Sequence, residues 1–198
     1  MDLRIIFVES VVWSLLWIIT VAISVRIFPF TIEHDYPNDV REVAGIQKPS
    51  KSQKRNGIIF GIVSFLILFV LLTSFIILQY KGEKPDILKI FFHLWIICIT
   101  WNVVDLLIVD WLLICMLSIK YFVLPRTEDY KGNKNYKFHF VGFLKGLLTM
   151  SIIAVIFTLI SYLILLFLIC QDFFILSFKM LNCNSKCHFF MKYYEMYC

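Results

Sequence analysis

Asn102, Asp105 and Asp110 lie within TWNVVDLLIVDWLLI (Thr100–Ile114), inside a long apolar segment from Ile87 to Ile119. Polar side chains in such a place have three kinds of chemistry open to them. A carboxylate in apolar surroundings can take up and release a proton. Two carboxylates brought together can share one, as in aspartyl catalysis. Either can hydrogen-bond a neighbouring helix and act as glue. Glu9 interrupts the first apolar segment and has the same options, besides simply reaching water at a membrane surface.

Spacing narrows these options. Residues advance by about 100° along an α-helix. With Asn102 as zero, Trp95, Cys98, Val109 and Asp105 fall within about 60° of it and Asp110 at about 80°, while His93 and Trp111 fall near 180°. The polar atoms therefore occupy one sector, expected to face a bundle interior. On the same geometry Asp105 and Asp110 diverge by about 140°, with Cα atoms about 8–9 Å apart, so one straight α-helix cannot make them a shared-proton pair. No Gly-x-Gly-Asp, His-Glu-x-x-His, Walker or Gly-x-Ser-x-Gly pattern is present. Enzyme is the weaker class, and no cofactor is expected. The predicted polar site is Asp105 with Asn102 one turn earlier, Asp110 at its entrance, and Glu9 as a counterpart toward the other membrane face.

The elements that must position these residues follow from composition. The 198 residues are 60% hydrophobic and 17% charged, with a mean hydropathy of +0.81. That is too apolar for one water-soluble core. Four apolar stretches, roughly 5–28, 57–78, 88–119 and 143–169, are each long enough to cross about 30 Å of hydrocarbon. They do not alternate in polarity, which argues against a β-barrel. The expected fold is an all-α membrane protein of four transmembrane helices in residues 1–170, followed by an atypical aromatic and Cys-containing tail, 171–198. The first helix is expected to be retained: Asp2 offsets Arg4, Glu9 breaks the apolar core of any leader, and Ala22-x-Ser24 is a poor cleavage match.

The connections carry their own signals. In the first polar loop, 29–56, DVREVA reads as a short helix stopped by Gly45, and Ser50-x-x-Gln53 reads as a capping box for the second long helix. QYKGEKPD, with Gly82 and Pro85, is a tight turn that makes helices two and three a hairpin. The second polar loop, 120–142, is basic and aromatic, and His139 within it reads as an interfacial residue. Gly57-x-x-x-Gly61 and Gly142-x-x-x-Gly146 open the second and fourth long helices, and small residues at that spacing predict close packing there. The exits Pro29-x-Thr31-x-Glu33-x-Asp35-Tyr36 and Pro125-x-Thr127-Glu128-Asp129-Tyr130 hint at a duplication.

Twelve of the 19 Lys and Arg residues fall on the two long loops and their helix ends. The positive-inside bias puts those loops in the cytoplasm and both termini outside, with two hairpins between. The net charge of +5 is therefore assigned to an anionic lipid surface, and no nucleic acid is expected. Cys98, Cys115 and Cys170 read as small buried hydrophobes. Cys183-x-x-x-Cys187-His188 is too loose for a zinc knuckle and lacks a second ligand pair, so no metal is expected.

WNVVDLLIVDW, LPRTEDY, FHFVGFLKG and HDYPNDV together resemble an uncharacterised family of small multi-pass bacterial membrane proteins, over most of residues 29–150. The resemblance implies an integral protein of the bacterial inner membrane and supplies no activity. Three readings follow. The first is a small membrane subunit or scaffold whose partners are the bilayer and a membrane protein or a second copy of itself. The second is a transport or proton-handling component using Asp105. The third is a membrane-embedded lipid-modifying enzyme.

Overall fold

The computed structural model describes residues 2–181, with side chains to residue 175; Cys183, Cys187, His188, Cys198 and most of the expected tail lie outside it. Each of the four long helices begins where the sequence supplies a cap. Asp2 accepts from the Arg4 backbone N–H and starts α1 (Leu3–Ile27). Two 3₁₀ turns, Pro29–Thr31 and Glu33–Asp35, lead to the short α2 (Asn38–Ala44), which ends on Gly45 at φ +53°, a left-handed conformation that suits glycine. Ser50 and Gln53 form the capping box of α3 (Lys51–Tyr80). Asp86 accepts from Leu88 and Lys89 at the start of α4 (Ile87–Val104). Asn135 accepts from the Phe138 backbone N–H in the first turn of α5 (Tyr136–Leu181).

Four helical segments are long and apolar enough to cross a membrane: Leu3–Ile27, Lys51–Tyr80, Ile87–Met116 and Tyr136–Ile175. No strand occurs among the described residues. The outer surface is apolar, with Leu78 81%, Phe7 69% and Leu148 68% exposed. In water such a surface would drive association, whereas in lipid it is the expected exterior.

The third span is the centre of the bundle: its most apolar window is 33% buried, against 22% in each of the other three. α4 packs on α1, α3 and α5. Because lipid is as apolar as leucine, helix association here rests on close packing and on polar contacts. Trp13, fully buried, donates from Nε1 to the Leu68 carbonyl of α3 at 3.0 Å. Trp17 stacks on Trp101 with ring centroids 5.5 Å apart, and Phe69 stacks on Phe157 at 4.4 Å. Trp95 donates to Ser151 Oγ at 3.1 Å.

From Asp105 to Met116 the span changes character and runs as a π-helix of 12 residues, contiguous with α4. π geometry is usually a single-turn bulge, often at functional sites. Its hydrogen bonds reach back five residues, so side chains five apart stack on one face, as side chains four apart do in an α-helix.

The two long loops pack on each other at the end of the bundle where the π segment finishes. Tyr36 Oη donates to the Phe122 carbonyl at 2.5 Å, Tyr130 Oη to Asp39 at 3.3 Å, and Arg26 lies 3.8 Å from Glu128. Val40, Val123 and Leu124 are fully buried beneath them. Cys98 and Cys115 are buried as expected, but Cys170 is exposed, because α5 turns that position outward among its lipid-facing side chains.

Candidate functional site

The polar side chains collect in two places along the third span. The first is near its start. His93, 1% exposed, places Nε2 2.5 Å from Glu9 Oε2 of α1 and Nδ1 3.2 Å from Tyr80 Oη at the end of α3. One imidazole thus joins three helices. Glu9 does not reach water freely; its side chain is only 11% exposed. The wheel placed His93 opposite the polar sector, and the structure shows why that position is still polar. Leu88 and Phe92 leave part of this length exposed, but α1 and α3 cover the face that carries His93, so two opposite faces of the helix can each hold a buried polar group.

The second place is a cavity of about 530 Å³ beneath the packed loops. The π segment contributes Asp105 and Asp110, α4 contributes Asn102, α5 contributes His139 and Lys145, and the first loop contributes Asp35. The divergence expected for Asp105 and Asp110 assumed α geometry. In the π-helix their spacing of five is the repeat that stacks them, and both line the same cavity. His139 is 4% exposed, and its Nδ1 lies 2.9 Å from Asp110 Oδ1. It was placed in a loop by sequence, but α5 begins at Tyr136 and carries it inward. Its Nε2 is buried without a partner among the described residues.

Asn102, on the cavity wall, is already bonded. Its Nδ2 donates to the Phe143 carbonyl at 3.1 Å, and its Oδ1 lies against Gly146, where a Cβ would overlap it. Asn102 therefore bonds α5 rather than Asp105. The structure does not bring the four helix-opening glycines together. Gly57 lies under Phe30 and Thr31, Gly146 under Asn102, and nothing approaches a Cβ position on Gly61 or Gly142.

Comparison with protein-family models, curated proteins and solved structures finds no match.

The chemistry of the cavity must therefore be read from its own groups. Asp35 is crowded enough by surrounding protein to lift its carboxyl above the ordinary range, with His34, 3.3 Å away, pulling the other way. Burial holds the Tyr36 phenol well above its usual range, so it serves as a neutral donor to the loop carbonyl. Among the described residues, no three His, Cys, Asp or Glu side chains converge on a metal position. What the cavity offers is a set of proton-binding groups, one of them an Asp110–His139 pair in which the carboxylate orients the imidazole.

Proposed function

We propose that this chain is a multi-pass protein of the cell membrane that binds protons and a small ligand in the cavity beneath its loops, as a transport or proton-handling component. The observation that carries this reading is the Asp110–His139 pair at 2.9 Å on the wall of a cavity that Asp35 and Asp105 also line. Acid and histidine pairs inside a helical bundle are costly, and their common uses are proton relays and ion pathways. The Glu9–His93–Tyr80 chain, near the other end of the same span, supplies a second proton-binding group. Two hairpins with the basic loops in the cytoplasm and both termini outside complete the reading.

The test is infrared difference spectroscopy on the purified protein as pH is varied. A reversible carboxyl signal should appear, should shift in Asp110→Asn, and should persist in a control substitution at lipid-facing Leu148. Absence of any titrating carboxyl signal in folded protein would overturn the reading.

A second reading has its own observation. Glu9, His93 and Tyr80 bond α1, α4 and α3 to each other, as a purely structural polar clasp would. In a small membrane subunit or scaffold, His93→Phe would then lower stability and partner recovery without changing the carboxyl titration.

A further inference from the structure

Building on the reading of the cavity as a ligand site, we infer that its ligand is a small organic cation: a primary ammonium on an apolar or aromatic body. Four observations converge on this class.

The first is size. A cavity of about 530 Å³ is far larger than one ion needs and falls among pockets for small organic molecules. The second is charge. Asp35, Asp105 and Asp110 line it, and Lys145 is the sole permanent cation among the described lining residues; His34 and His139 carry charge only when protonated. The third is hydrogen-bond polarity. The Asp105 carboxylate makes no hydrogen bond or ion pair among the described residues. Asp110 beside Nδ1 of His139 favours the tautomer with its proton there, which leaves the buried, unpartnered Nε2 as an acceptor. Nε2 accepts, and Asp105 accepts through both oxygens when ionised, while a primary ammonium offers three donors and no acceptor and favours that ionised form. An anion would meet acceptors on this wall and lose the match. The fourth is the aromatic lining. Trp101, Tyr36 and Phe138 border the same space, and aromatic faces attract cations while packing an apolar body.

The same groups make binding compete with protons. Each proton taken by Asp35, Asp105, Asp110, His34 or His139 removes an acceptor or adds a like charge beside Lys145. Tyr36 takes no part, because its hydroxyl is committed to the Phe122 carbonyl. Ammonium binding therefore weakens as pH falls.

The experiment uses full-length protein in lipid nanodiscs and phenethylammonium as the probe, measured by calorimetry. Phenethyl alcohol keeps the body without the charge, and tetraethylammonium keeps the charge without N–H donors. Phenethylammonium should bind, the alcohol should not, and tetraethylammonium should bind more weakly. Asp105→Asn should weaken phenethylammonium by about tenfold or more, the scale of one lost charge-assisted hydrogen bond. Asp105→Glu should recover part of the loss. Equal binding of alcohol and ammonium, or no ammonium binding to folded wild type, overturns the inference without any variant. The carboxyl titration is read on the same samples. Titration without ammonium binding refutes only the ligand class, and ammonium binding without titration refutes only the proton-handling role.

Discussion

A Cβ at Gly146 would occupy the space of Asn102 Oδ1, whose amide holds the Phe143 carbonyl of the same helix. Gly146→Ala should therefore destabilise the bundle by about 1–3 kcal/mol, the usual cost of overpacking. Asn102→Ala in the same chain should return most of that loss, which a double-mutant cycle of thermal unfolding in detergent would measure. Failure of Asn102→Ala to compensate would mean that the two residues do not share that space. Asp35 allows a signed pH prediction. Its carboxyl binds its proton more tightly folded than unfolded, first because of crowding by protein and then through Asp110, against His34 and His139. The folded state then holds more protons, so stability declines as pH rises above the ordinary carboxylate value of 3.8 and levels off beyond the raised one. Unfolding of Asp35→Asn should lack this part of the decline, and the difference should be small because the wild-type side chain is 65% exposed. Asn102, Asp105 and Asp110 were legible in sequence because a polar residue in an apolar span has few innocent explanations. His93 and His139 were not, since their partners Glu9 and Asp110 lie 84 and 29 positions away and no local pattern links them.

At the scale of elements, the change from α to π geometry at Asp105 decides which side chains meet. The apolar run announced a span, but nothing in DLLIVDWLLICM distinguishes five-residue from four-residue hydrogen bonding; the segment has no proline or glycine. The wheel therefore kept 100° steps past the point where they ceased to apply, and it separated two aspartates that line one cavity. A paired substitution tests the geometry at exposed Leu107 and half-buried Leu112. Leu107→Cys with Leu112→Cys, in a chain whose native cysteines are replaced, should be bridged by a short bifunctional thiol reagent, because π geometry stacks residues five apart. Along an α-helix those positions diverge by about 140°, and the bridge should not form. Peptide mass mapping would read the outcome, and an unbridged pair that reacts singly with both thiols would reject the π path.

For the whole molecule, the four apolar spans were readable from composition and run length alone, because hydrocarbon permits few alternatives to a fully hydrogen-bonded helix. The arrangement inside the bundle was less readable. Glycine pairs suggested contact between the second and fourth long helices; those helices do pack on each other, with Phe69 stacked on Phe157, but each closely approached glycine meets a side chain instead. The loops add a constraint that charge counting lacked. Tyr36 bonded to Phe122 and Arg26 beside Glu128 require both long loops to lie at one end of the bundle. Gly82, in the turn between α3 and α4, has open space around it and lies at the other end of α3 from Ser52. With 12 of 19 basic residues on the loop side, that side is expected in the cytoplasm. A Gly82→Cys chain should react with a membrane-impermeant thiol reagent in intact cells, and a Ser52→Cys chain should react only after permeabilisation. Labelling of Ser52→Cys alone in intact cells would invert the orientation while leaving the loop pairing intact. Labelling of both would reject the placement of 52 and 82 on opposite faces, and with it the transmembrane path of α3.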